Sequence, residues 1–415
     1  MKLWLKILIG LFLGALTGWG LSMSGFAEYA APFRHIADVF MNLIRMLIAL
    51  LILSSMTVGV TSIHDPKKLG RVGLKSLGLY FITTVIAICI GLFFAYLLRP
   101  GVGVQLPMTQ TVDVGNLPPL TDILVNIVPS NPVAALAEGN ALQIIVFAIF
   151  LGLAINAAGD RGRPLLRFLE SIADVMYKLT EIVMEIAPFG VFAIMVWVVG
   201  SFGVKVLGSL VEFLFCNYLA CLVHMVIVFG GLLIFVAKLN PWSFFKGMGD
   251  AILLAFSTNS SSATLPVSLH CVQENLGVSK NVANFVLPLG STVNMNGAAI
   301  SQAISAVFVS QAYGIELGWH SIIMVVVTAT LSAVGAAGVP GTTIVMLTVV
   351  LGSVGLPLEG ILLISGVDRV REMVTTVVNI LGDSVVAVYI AKTEGELNED
   401  QYNHAQLVEM EESDV

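Results

Sequence analysis

Apolar residues run along this chain in blocks too long for a soluble core. Stretches near residues 5 to 23, 37 to 61, 76 to 98, 143 to 158, 168 to 200, 206 to 237, 282 to 312 and 355 to 391 match helices crossing about 30 Å of hydrocarbon and predict about eight full spans. Two further apolar stretches, 242 to 275 and 320 to 354, are broken at their middles by "STNSSSATLP" and "SAVGAAGVPGTT". Each break sets a proline beside small residues. Non-helical backbone at membrane depth is tolerated only where it is buried in protein or lines a watery cavity. The two stretches therefore read as re-entrant helical hairpins whose tips are binding-site candidates.

Composition agrees with a polytopic all-α membrane protein. The chain is 57% hydrophobic and 11% charged with a mean hydropathy of +0.93, whereas a soluble domain is roughly 25% charged. The net charge of -7 owes much to the stretch after Lys392, which reads as a solvated acidic tail and names no partner. Nucleic-acid binding has no support. Cys89, Cys216, Cys221 and Cys271 sit in apolar stretches without CxxC or histidine-partner spacing, so they read as small buried hydrophobes. The first residues carry the Lys2 and Lys6 flank of a signal peptide but no clean small-residue cleavage site, and they read as a retained first span.

Loop charge sets the orientation. Basic residues collect in "HDPKKLGRVGLK", "GDRGRPLLR" and "AKLNPWSFFKG", whereas "GVGVQLPMTQTVDVGNLPPLTD" and "YGIELGWHS" have no Lys or Arg. By the positive-inside rule the first three face the cytoplasm, with both termini inside a cell (inner) membrane. The first hairpin then enters from the cytoplasm and the second from outside. Each is followed by a span with a polar interruption, "STVNMNGAAI" and "VTTVVNILGDS". Two such units of opposite orientation form an inverted repeat, the sign of a secondary transporter.

The chemistry concentrates on the last span. Glu372, Thr375, Thr376, Asn379 and Asp383 follow Asp368 by 4, 7, 8, 11 and 15 residues, and at about 100° per residue the six share a stripe roughly 100° wide. A carboxylate inside the membrane costs about 2.5 kcal/mol or more unless it meets a cation or a polar cavity. Cation binding is the default reading, and packing against other polar helices is the plain alternative. His224 is the other ionisable residue expected deep in a span. Oxygen donors without a His or Cys cluster favour sodium, with a proton as the alternative. "NMNGA" puts Asn294 and Asn296 beside Gly297, where a helix can unwind and offer carbonyl oxygens. Tyr80, Thr83 and Thr84 share a face of the third span, either as ligands or as hydroxyls bonding their own helix. The serine-rich tip at Ser260 and Ser261 offers hydroxyls and amides at a helix start, which suits an anion such as an α-carboxylate.

With "SSSATLP", "AGVPG", "NMNGA" and the N-x-x-G-D ending of the last span in place, the chain resembles the glutamate transporter family, the dicarboxylate and amino acid:cation symporters, over nearly its whole length. The resemblance implies an elevator-type homotrimer and no enzyme. Spans one, two, four and five (residues 1–75 and, with an extracellular loop, 101–204) would form the scaffold. The transport domain would comprise 76–100 and 205–392, followed by the tail at 393–415. The resemblance further implies one sodium site at Gly290, Asn294, Asn379 and Asp383. A second would use carbonyls of Thr292, Ala333, Val334 and Ala336 near Met295, and a third Tyr80, Thr83, Thr84, Asn294 and Asn296. Substrate contacts would come from Ser260, Ser261, Ala298, Gly338, Val339, Thr375, Thr376 and Asn379, with Glu372 holding an ammonium.

The chain departs from that pattern at three telling positions. Neutral Asn296 stands where acidic amino acid carriers have Asp, which weakens the third sodium site. Ala298 replaces a family Thr. Thr375 stands where carriers of aspartate, glutamate and dicarboxylates place an Arg that forks onto the substrate's second carboxylate, and an unpaired buried charge costs roughly 2 to 5 kcal/mol. With Glu372 retained, the sequence predicts a sodium-coupled importer of a small neutral L-amino acid of the alanine, serine or threonine type. The alternatives are an acidic amino acid or dicarboxylate symporter, with Arg371 one turn before Thr375 as a rescuing cation, and an ion channel. An intramembrane serine hydrolase lacks a histidine at helical spacing from Ser260 or Ser261.

Overall fold

The computed structural model describes residues 3–61, 69–104, 128–139, 141–203, 205–335 and 342–404. The described chain is helical, and among its residues the β contact is a single isolated antiparallel bridge between Val278 and Leu397.

The first helices are α1 (Leu3–Met23), α2 (Phe33–Thr61), α3 (Leu69–Leu98), α4 (Pro132–Glu138), α5 (Ala141–Ala158) and α6 (Arg163–Phe202). Helix α1 lies against the 40-residue α6 because Gly10, Gly14 and Gly18 repeat every fourth residue and line one face. A Cβ on Gly14 or Gly18 would fall 2.5 and 2.8 Å from the backbone oxygens of Phe192 and Val196, and one on Gly10 would strike that of Pro188. This is small-residue packing of the kind that lets helices approach in lipid. Helix α2 packs on α6 and α5.

Next come α7 (Lys205–Val223), which continues as two widened π-helical segments, His224–Phe229 and Leu232–Ala237, then α8 (Pro241–Gly247), α9 (Gly249–Thr258) and α10 (Ser261–His270). Asn259 breaks α9 from α10 in the left-handed region at φ 55°, and Ser260 caps α10 by accepting from the Ala263 amide, the side-chain chemistry favoured at helix starts. The two helices touch each other. The stretch predicted as one broken hairpin thus contains a break at the expected serine-rich residues.

The rest of the chain forms α11 (Lys280–Val293), α12 (Asn296–Ala312), α13 (Trp319–Gly335), α14 (Thr342–Ser353), α15 (Gly360–Ser365), α16 (Asp368–Glu394) and α17 (Glu399–Asn403). The stretch at 282 to 312, predicted as one span, is two helices, because Asn294 and Met295 both leave helical geometry. Helix α16 is buried along nearly its whole length and packs against α3, α7, α9, α10, α11 and α12. Among the described residues, Arg71–Leu98, Val206–Ala237 and Asp368–Glu394 are each long and apolar enough to cross a membrane.

The acidic stretch after Lys392 is not wholly a solvated tail. Residues 396 to 404 fold back: the Ser279 amide donates to the Glu396 carbonyl at 3.0 Å and the Asn398 amide to that of Gly277 at 2.8 Å. Tyr402 is fully buried, its hydroxyl 2.9 Å from the Asn240 carbonyl. Glu394 also receives Lys75 at 2.6 Å and Arg71, tying the end of α16 to α3.

Candidate functional site

The break between α11 and α12 faces the middle of α16. Ending α11 at Val293 leaves last-turn carbonyls, Thr292 among them, without intrahelical donors. From the break, Asn294 Nδ2 donates to Asp383 Oδ1 at 2.9 Å, and the Gly297 amide donates to Asn379 Oδ1 at 2.8 Å. All four residues are buried. Glycines make this approach possible. A Cβ on Gly297 would strike the Thr375 backbone, and one on Gly290 would strike the Asp383 carboxylate and lie 2.8 Å from the Tyr80 hydroxyl.

A cation fits these oxygens. Asp383 is buried, no basic side chain pairs with it among the described residues, and the buried Asn294 Oδ1 beside it has no hydrogen-bond donor. An orphaned acceptor next to a carboxylate suits a hard monovalent ion. Aromatic and π-helical packing closes the back of the site: Phe229 lies against Gly382, where a Cβ would sit 2.7 Å from Asn294 Nδ2.

The group at Asn296 has a different character. Thr84 Oγ1 donates to Asn296 Oδ1 at 2.7 Å, Asn296 Nδ2 donates to Thr83 Oγ1 at 3.2 Å, and Thr83 bonds its own helix at the Leu79 carbonyl, 2.9 Å away. The hydrogen bonds close on themselves. Tyr80 donates to the Val286 carbonyl at 2.9 Å.

Helices α9, α10 and α12, which bring the serine-rich break and Ala298, pack against α16. Ser260, Ser261 and Ala298 are buried, as are Thr376 and Asn379 on the stripe of α16, and Thr375 Oγ1 donates to the Glu372 carbonyl at 3.2 Å. Met295 and Ala333 are buried, and Thr292 turns its hydroxyl to the Leu289 carbonyl at 2.9 Å. Ala336, Gly338 and Val339 lie outside the described residues, and Val334 is described by its backbone alone.

Two charged residues change the picture. Arg371 is buried, with Nε 3.0 Å from Asp368 Oδ1, Nη2 on the same carboxylate and Nη1 on the Ser301 hydroxyl. Arg369, which sequence reasoning passes over, is buried too: its Nη1 lies 3.2 Å from Glu372 Oε2. The signal is available, since Arg369 precedes Glu372 by three residues and Thr376 by seven and so shares their face. The expectation that His224 is the other ionisable group deep in a span is corrected accordingly: His224 is fully buried against Phe229, but two arginines are buried as well.

A family model described as the sodium:dicarboxylate symporter family matches residues 3–393. The chain belongs to the sodium:dicarboxylate symporter family. A proton/sodium-glutamate symport protein of Geobacillus stearothermophilus is 36% identical over 408 residues, 95% of each chain. The proton/glutamate-aspartate symporter of Escherichia coli K12 is 36% identical over 375 residues, 86% of this chain and 84% of that one. A C4-dicarboxylate transport protein of Laribacter hongkongensis is 31% identical over 410 residues, 96% and 91% of the two chains. Family membership makes the chain a membrane transporter of the symporter class and not an enzyme. These relatives are named for acidic substrates, not neutral ones.

Proposed function

We propose that this protein is a sodium-coupled symporter that imports an acidic amino acid, aspartate or glutamate, across the cell membrane. The observation that carries the acidic substrate is the pair of buried guanidinium groups, Arg369 and Arg371, within two turns of Thr375. Guanidinium groups therefore remain near a pocket that lacks Arg at 375. Glu372 is retained for the substrate ammonium, which favours an amino acid over a plain dicarboxylate. The relatives' names favour the same class.

Sodium would bind at Asp383 with Asn294, Asn379 and Gly290, and at the freed carbonyls around Thr292 with Ala333, Val334 and Ala336 near Met295. The closed hydrogen bonds of Asn296 with Thr83 and Thr84 support a third site that is weak or lost. Helix packing supports a division into a scaffold of α1, α2, α5 and α6 and a transport domain of α3, α7 and α9 to α16. The scaffold would hold a homotrimer while the transport domain slides, the second hairpin gating from outside and both termini lying in the cytoplasm.

A neutral amino acid is the second reading. It is favoured by the pairing of both guanidiniums with carboxylates, Arg371 with Asp368 and Arg369 with Glu372, which leaves that group of four without net charge. Titration calorimetry of the purified protein with aspartate, glutamate and serine, in sodium and in choline, tests the two. Aspartate or glutamate binding that requires sodium supports the first; sodium-dependent serine binding alone supports the second.

A further inference from the structure

The two guanidiniums differ in what they leave unused. All three Arg371 nitrogens have acceptors, in Asp368 and Ser301, and the Ser301 bond holds the start of α16 to α12. Arg369 uses one. Its Nη1 meets Glu372, while Nε and Nη2 are buried with no acceptor among the described residues, and its side chain is only 8% exposed. Nε–H and Nη2–H are the two parallel donors along one side of the guanidinium plane, the edge that matches both oxygens of a carboxylate. Leaving such donors buried and unmet is costly, so the arrangement asks for an anion.

The position is as informative as the unused donors. The Arg369 carbonyl accepts from Asn259 Nδ2 at 3.0 Å, so Arg369 lies directly against the break between α9 and α10. Ser260 and Ser261, at the start of ten-residue α10, follow Asn259 in the chain. First-turn amides of a helix lack intrahelical partners and attract anions. One carboxylate at that helix start, an ammonium at Glu372 and a second carboxylate at the Arg369 edge together describe an acidic amino acid.

We propose that Arg369 is the specificity-determining residue of this carrier, taking the substrate's side-chain carboxylate on its Nε and Nη2 edge in place of an arginine at 375. The inference rests on the acidic amino acid reading. Arg371 serves as a positioning residue for α16.

The test compares aspartate with asparagine, which has nearly the same shape without the charge. Sodium-driven uptake of each would be measured in proteoliposomes for the wild type, Arg369→Gln, Arg369→Lys and the double variant Arg369→Gln/Thr375→Arg. In Arg369→Gln the KM for aspartate should rise ~30-fold or more, as for a buried charge that loses its partner, with asparagine affected far less. Arg369→Lys keeps a charge for Glu372 and hence the fold, but an ammonium cannot fork, so its KM for aspartate should rise about tenfold. The double variant should regain aspartate preference, because the guanidinium returns to the same pocket from 375.

Wild-type preference for aspartate that persists unchanged in both single variants would overturn the role of Arg369 and leave the acidic reading standing. A wild type that carries asparagine or serine but not aspartate would overturn both. Should Arg369→Gln fail to elute as a monodisperse protein, the Lys variant decides the matter in the same terms.

Discussion

Asn294 donates one amide hydrogen to Asp383 across 2.9 Å while its own Oδ1, buried beside that carboxylate, accepts nothing. The pair holds α11 to α16 and leaves an unmet oxygen lone pair close to a buried carboxyl group. A cation at that place, as the proposed sodium site has it, would meet both groups.

Asp383→Asn removes the charge and keeps the shape. Sodium affinity, read from the sodium dependence of aspartate binding, should fall by at least tenfold, on the order of 1.4 kcal/mol or more. The protein should still elute as a monodisperse species, since the side-chain amide introduced there still offers Asn294 an acceptor. Unchanged sodium dependence would remove Asp383 from the cation site.

Gly297→Ala drives a methyl group into the Thr375 backbone. Overpacking of this kind costs about 1 to 3 kcal/mol. Because α12 and α16 part at the substrate face, binding should weaken along with the melting temperature. An equally affine Gly297→Ala protein would mean that the two helices separate in the binding-competent state.

Asn296→Asp places a carboxylate between the Thr83 and Thr84 hydroxyls, where the wild type has an amide whose hydrogen bonds close on themselves. The variant should show steeper cooperativity in sodium, with a higher Hill coefficient for sodium-driven uptake, because a further cation is needed to neutralise the added charge. A Hill coefficient equal to that of the wild type would show that this group does not take part in cation binding.

Tyr402→Phe removes the bond to the Asn240 carbonyl that anchors α17 under α8. The loss should be about 1 kcal/mol, seen as a small drop in thermal stability with transport kinetics unchanged. A change in KM would instead tie the folded-back C-terminal segment to the carrier's motion.

Much of this site is legible in the sequence. Hydropathy marks the spans, and helical spacing collects Asp368, Glu372, Thr375, Thr376, Asn379 and Asp383 on one stripe, which α16 buries together. The pairing of Asn294 with Asp383 is foreshadowed by "NMNGA". Arg369 shares the face of Glu372 and Thr376 by spacing, but a stripe drawn from carboxylates and hydroxyls passes over it; its burial rests on the packing of α9 against α16 and on the Asn259 bond to its carbonyl. Reading substrate class from Thr375 alone likewise leaves out Arg369 and Arg371, which α16 buries within two turns of it. The closing of the C-terminal segment over Gly277 and Ser279 depends on long-range contacts that local charge patterning conceals.

The most direct test of the account is uptake of radiolabelled aspartate, glutamate, alanine, serine and threonine by the purified protein in proteoliposomes, with and without an inward sodium gradient. Accumulation of aspartate or glutamate that collapses without the gradient is the expected result. Gradient-driven accumulation of alanine, serine or threonine with aspartate and glutamate excluded would contradict the acidic substrate, and uptake indifferent to the gradient would contradict sodium coupling.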